Sequence, residues 1–279
     1  MDAVEVVLAS IALIVVLLAA RAPLYAALPL TFIFTALLYG GPQLLVATLR
    51  NTLLGADTWG LVLSVIAVSW LVSLYGVMGT VERLGSELSK AFRNVTLAIT
   101  VVPGVIGLLP VPGGALMSAP IVDSLGSTLG LTRDKKLFVN VWYRHVIVYV
   151  YPLNSVIILA SAVTGVSLWE LVTRQTPVAL AMFAIGLPIV FRHASSRIVG
   201  APDYSVVARG FLPILLALIL APIMSPIDAV IGLRGAHIAV SVLVAVIAFK
   251  LLHGASLSTL LKALGERRVW ELAITSFFV

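Results

Sequence analysis

The sequence predicts an all-α, polytopic helical membrane protein. Three observations carry this. Hydrophobic residues make up 61 % of the 279 residues and charged residues only 11 %, with a mean hydropathy of +1.13; a soluble domain carries about 25 % charge. Apolar runs approaching the roughly 20 residues that a helix needs to cross hydrocarbon recur along the whole chain. Lys and Arg gather at the ends of those runs, as membrane topology requires. The composition excludes disorder, a coiled coil and a secreted disulfide scaffold. The lack of cysteine removes thiolate, iron–sulfur and Cys-type zinc chemistry. The net charge of +6 does not read as a nucleic-acid interface, because the basic residues form no stripe interleaved with aromatics. Membrane lipid is the expected surrounding, and no nucleic acid is expected as a partner.

The apolar runs are 4–20, 24–39, 58–78, 95–109, 115–129, 138–163, 176–191, 211–224, 236–252 and 269–279. The first is a span and not a secretory leader, since it opens with Asp2 and Glu5 and no basic residue. The second is closed by Gly40-Gly41-Pro42. The 26 residues of 138–163 would make a helix of about 39 Å, longer than the bilayer core, so its first part lies along the interface or Pro152 breaks it. The run at 82–90, with Glu82, Glu87 and Lys90, reads as a solvated or interfacial amphipathic helix. With the N-terminus outside and 94–130 entering and leaving from one side, 14 Lys and Arg fall inside and three (Arg50, Arg174, Arg234) outside, which argues for a multi-pass plasma-membrane protein in that orientation.

A shift of 211 positions lays Thr48-Leu49 on Thr259-Leu260, Leu53 on Leu264, Trp59 on Trp270, Leu61 on Leu272 and Val68 on Val279. The same shift lays the first two spans on 211–224 and 236–252, crossing in the opposite sense. An inverted repeat of this kind is a common plan of secondary transporters. The expected organisation is a first repeat, 1–205, containing a hairpin at 94–130, and the start of a second repeat, 206–279, that stops at its third span.

Residues 103–120 hold four prolines and four glycines in apolar sequence: Pro103, Gly104, Gly107, Pro110, Pro112, Gly113, Gly114 and Pro120. Proline breaks a helix, and glycine lets backbone approach a ligand. At membrane depth such backbone survives only inside protein or beside a wet cavity. Two arrangements satisfy the pattern. One is a re-entrant hairpin with its tip at 110–114. The other is a pair of kinked spans joined by an outer turn. In the first, the exposed N–H groups at the tip suit an anion and the carbonyl end suits a cation.

The stretch from Leu108 through Pro110-Val111-Pro112-Gly113-Gly114-Ala115 to Ser118 and Asp123, followed by Trp142-Tyr143-Arg144-His145 and Tyr151-Pro152, resembles the prokaryotic membrane family catalogued as domain of unknown function 401. That family is grouped with the ion-transporter superfamily, whose members carry paired inverted hairpins. The resemblance implies a secondary transporter with a taste for anions. It assigns no residue a role. Members are usually longer, which agrees with the unfinished second repeat.

The candidate substrate-binding residues are Pro112, Gly113, Gly114 and Ser118 on the hairpin, with Arg144 as a partner for a substrate carboxylate. Asp123 and Asn154 are candidates for the coupling ion, since a polar group at membrane depth is a functional hypothesis by default. Each has a plainer reading. Asp123 is also placed to stabilise a helix dipole, and Arg144, with Asn140, Trp142, Tyr143 and His145, to form an interfacial belt. Asn154 and Ser155 are also placed for helix–helix hydrogen bonding. His193, His237 and His253 read as surface residues at span ends. No zinc-protease pair, nucleophile elbow, P-loop or metal-spaced cluster occurs, so no enzyme activity, metal or cofactor is expected. The expected function is transport of a small anionic solute coupled to H⁺ or Na⁺ by alternating access. The alternative is a non-catalytic subunit or half-transporter completed by a homodimer or another partner chain.

Overall fold

In a computed structural model, residues 2–107, 114–191, 198 and 200–278 are described. They form fourteen α-helices and one 3-10 turn, with no strand among them. Five helices are long and apolar enough to cross a membrane.

Helix α1 (Ala3–Ala19) starts with a capping box: Asp2 Oδ1 accepts from the Glu5 N–H at 2.7 Å and Glu5 Oε2 accepts from the Asp2 N–H at 3.0 Å. Helix α2 (Leu24–Leu54) runs through the expected stop at Gly40-Gly41-Pro42. Only Gly41 leaves helical geometry, at φ 70° and ψ −167°, and the chain resumes with Pro42 in the new first turn. Proline costs little there, because its missing N–H would have had no helical partner. The second span and the polar stretch after it are therefore two helical pieces about one kink.

Helix α3 (Ala56–Val77) is the centre: 61 % of its most apolar window is buried, against none of α2's. Helices α4 (Thr80–Phe92), α10 (Tyr204–Ile223), α12 (Ala236–His253), α13 (Leu257–Leu264) and α14 (Arg267–Phe277) gather about it. Buried polar groups lock them in register. Ser64 Oγ donates to the Gly235 carbonyl at 2.8 Å, Trp70 Nε1 to the Leu260 carbonyl at 2.9 Å, and Tyr75 OH to the Gly210 carbonyl at 2.6 Å. Tyr75 also packs on Phe249, with ring centroids 4.7 Å apart. Gly60 and Ser64 meet the start of α12 while Tyr75 meets its end, so α3 and α12 run parallel.

The two ends of α3 gather different residues. Met78, Thr80, Arg83, Val206, Arg209, Leu252 and His253 line a cleft at one end. Asp57, Ser64, Ser161, Trp169, Arg234 and His237 line a cavity at the other.

Helix α4 buries Val81, Leu84 and Leu88 and turns Glu87 outward. Glu87 accepts from the Asp203 backbone N–H at 2.9 Å and from Lys90 Nζ at 2.6 Å. These donors hold its carboxyl below the usual range, the Asp203 N–H first and Lys90 second. A depressed carboxylate contributes stability above its unfolded pKa and loses it as pH falls through the folded value. Hydrogen-exchange protection of the Asp203 amide should therefore hold from pH 7 to 5, fall away below about pH 4, and be weakened at every pH by Glu87→Gln. Protection indifferent to both would show that this latch does not form.

Candidate functional site at two broken helices

Helices α5 (Val95–Gly107) and α6 (Gly114–Thr128) pack on each other, on α4 and on α7 (Arg133–Val146). At 1.5 Å per residue, their 13 and 15 residues are about 20 and 22 Å long. Residues 108–113, between them, lie outside the described residues. Helix α6 ends cleanly: Gly130 is left-handed at φ 67°, its N–H meets the Ser127 carbonyl, and the Leu131 N–H meets the Gly126 carbonyl at 2.8 Å.

The long run at 138–163 is broken, as its length and Pro152 require. Helix α7 passes into a 3-10 turn, Ile147–Tyr149, and helical structure restarts only at α8 (Ser155–Thr164). Between them Tyr151, Leu153 and Asn154 are buried, at 5 %, 2 % and 6 % exposure. Asn154 restarts the helix. Its Oδ1 accepts from the Val156 N–H at 2.8 Å, and its own N–H reaches the Tyr151 carbonyl at 2.9 Å.

Helix α5 and the broken run 138–163 meet through glycine. A Cβ on Gly107 would stand 2.8 Å from the Arg144 carbonyl oxygen, 2.9 Å from Ile147 Cγ2 and 3.2 Å from Arg144 Cγ. A Cβ on Gly104 would stand 3.2 Å from the Tyr143 carbonyl. The two glycines, one turn apart, clear a smooth face of α5 for α7. The half-buried Arg144 side chain therefore starts out beside Gly107, the last described residue of α5.

Helix α6 is tied to α7 by a polar pair. Ser118 and Asn140 are both buried, and Ser118 Oγ donates to Asn140 Oδ1 at 2.5 Å. Hydrogen bonds between membrane helices contribute about 0.6 kcal/mol on average and reach about 1.7 kcal/mol. This one therefore fixes position more than it stabilises.

Pro112 and Gly113 lie outside the described residues, and Gly114 is the first residue of α6. The structure brings Ser118 to Asn140 and Arg144 to Gly107. Asp123 sits elsewhere: its carboxylate is exposed and paired with Lys136 Nζ at 2.8 Å, and Lys136 also donates to Ser127 Oγ at 2.6 Å. The aromatic neighbours of Arg144 face protein. Trp142 Nε1 donates to the Met182 carbonyl of α9 (Leu168–Phe191) at 2.8 Å, and Tyr143 is buried edge-on to Phe183. Gly186 of α9 leaves room for both rings.

Two residues escaped the sequence reading. His237 is no surface histidine: its side chain is 15 % exposed and its Nδ1 lies 2.9 Å from Asp228 Oδ2. Asp228 also accepts from the Gly235 N–H at 2.6 Å and the His237 N–H at 2.9 Å, so it caps α12 where Gly235 has no side chain to do so. The available signal was an aspartate nine residues before a histidine in a Pro/Gly-rich linker between two spans.

No curated protein matches the chain. A family model does, over residues 3–268, and its description is "Protein of unknown function (DUF401)". With the apolar helices and the broken run 138–163 in place, that match over nearly the whole length makes this chain a member of the DUF401 family.

Proposed function

We propose that the protein is a secondary transporter of the plasma membrane that moves a small anionic solute, coupled to H⁺ or Na⁺, by alternating access. The observation that carries this reading is the buried, unwound backbone of 151–154 between the helical pieces of one apolar run. Irregular backbone persists at membrane depth only where protein or a wet cavity surrounds it. Paired half-helices of this kind mark the midplane site of many transporters. In this reading α5 and α6 are the arms of a re-entrant hairpin. Its tip, with Pro112, Gly113 and Gly114, presents N–H groups to the anion, and Arg144 answers the anion's charge. Asn154 offers an amide oxygen to the coupling cation. Asp123, already paired with Lys136, serves as an ion pair of the inner interface.

The packing supports an inverted repeat. Under the 211-residue shift, α1 corresponds to α10, the two pieces of α2 to α12 and α13, and α3 to α14. The contacts α1 with α2 and α3 with α12 then correspond to α10 with α12 and α14 with α2. Arg267 donates to Tyr25 OH at 3.1 Å and Phe32 meets Phe278 at 5.5 Å, so α14 runs parallel to α2 as α3 runs parallel to α12. The clefts at the two ends of α3 likewise separate the residues that the charge distribution puts inside from those it puts outside, in support of an outer N-terminus.

The chain has no cysteine, so single cysteines report cleanly. Gly113→Cys should react with membrane-impermeant thiol reagents, and acetate, succinate or citrate should slow that reaction, whereas Ser118→Cys, buried against Asn140, should stay unlabelled. Labelling of the tip from the outer face alone, unprotected by any of the three, would make these ordinary spans joined by a surface turn.

A further inference from the structure

The cavity at the Asp57 end of α3 belongs neither to the hairpin nor to the unwound segment. It encloses about 350 Å³, within the about 300–1,000 Å³ of small-ligand pockets. Helices α3, α9 and α12 begin on its wall, so three positive helix ends face it. Its floor includes Ile158, one turn along α8 from Asn154. A solute in this cavity therefore stands over the helix that the proposed site begins. Arg234 is exposed on the rim and makes no ion pair among the described residues. His237 lines the wall with Nδ1 committed to Asp228, which leaves Nε2 for the cavity.

We propose that this cavity is an outer loading site for a small carboxylate, and that protonation of His237 controls its occupancy. The inference rests on the transporter reading above. The carboxylate is held between the Arg234 guanidinium and the Nε2–H of a charged His237. Asp228 keeps the ring oriented, as carboxylates do for histidines that work through the other nitrogen. The charged groups around the ring are Asp228 on α11 (Ile227–Ile231), Arg234 before α12 and Asp57 on α3. Helices α8 and α9 line the cavity without a charged side chain. Protonation adds one positive charge and one donor to a wall where Asp57 otherwise offsets Arg234. Occupancy therefore rises as pH falls, and each anion arrives with a proton.

The test is calorimetric titration of the purified protein with acetate, succinate and citrate at pH 5.5 and 8.0. At least one should bind tenfold or more tightly at pH 5.5. Arg234→Gln should weaken binding at least tenfold at both pH values. His237→Gln should erase the pH dependence while the Asp228 bonds to the Gly235 and His237 N–H groups keep α12 capped. If His237→Gln does not fold, Arg234→Gln decides alone, because that side chain makes no hydrogen bond among the described residues. No binding by any of the three anions, or binding unchanged in Arg234→Gln, overturns the proposal. Uptake of the same anions into proteoliposomes separates the two readings. Uptake with unaltered Arg234→Gln binding removes the cavity and keeps the transporter. Cavity binding without uptake under any Na⁺ or pH gradient does the reverse.

Discussion

Gly60→Ala should destabilise the protein by driving a methyl group into the start of α12. In an exposed helix the change would help by about 0.5–1 kcal/mol, because glycine disfavours helix. Here the new Cβ would collide with the Arg234 carbonyl oxygen and stand 2.9 Å from its carbonyl carbon. Those are backbone atoms and cannot swing aside. They are also clamped: Ser64 Oγ bridges the Gly60 and Gly235 carbonyls at 2.8 Å each, Asp228 holds the Gly235 N–H, and Gly235 itself sits at φ 92°. Making room means displacing the start of α12, at an overpacking cost of about 1–3 kcal/mol and about 1 kcal/mol more for the strained or lost hydrogen bond. The net loss is about 2–3 kcal/mol, or roughly 5–10 °C in melting temperature for a chain of this size. Gly165→Ala is the control. It faces open space at φ 71°, so it bears only the left-handed backbone cost of about 1–2 kcal/mol. Thermal unfolding in detergent should rank Gly60→Ala below Gly165→Ala. The reverse order would mean that α3 and α12 are not in this register.

The features legible in the sequence were those written in local chemistry. Composition named the membrane, Pro152 and an overlong run located the break, and Asn154 is an N-cap residue where a cap is needed. The kink at Gly41 misled because glycine and proline signal an interruption without saying whether helix resumes. A proline in the first turn of the second piece lets it resume. Trp142 and Tyr143 fit an interfacial belt in the sequence for a different reason. In a membrane helix the face toward lipid and the face toward protein are both apolar, so periodicity does not separate them. Helix α12, apolar on all sides, hid its buried face from the sequence in the same way while packing Val242, Val246 and Phe249 against the core. His237 with Asp228, and Gly107 with Arg144, are tertiary meetings; each partner is unremarkable alone.

Asn154 is where a structural role and a functional role are easiest to confuse, and a substitution series separates them. Asn154→Ala removes the acceptor for the Val156 N–H and should destabilise by about 1 kcal/mol, as loss of a helix cap does. Under the transporter reading it should also abolish ion-driven uptake of whichever carboxylate the protein accepts. Asn154→Ser restores the capping oxygen, since serine caps about as well as asparagine. It does not restore the reach or the second polar group of the amide. Stability should therefore return with serine while uptake does not. Asn154→Asp should cap equally well and put a full charge beside the cation, shifting the dependence of uptake on the concentration of the driving ion. If serine rescues stability and uptake together, Asn154 is a cap and nothing more, and the coupling ion is held by other groups of the hairpin tip. If alanine leaves uptake intact at wild-type protein levels, the unwound segment is not part of the transport path.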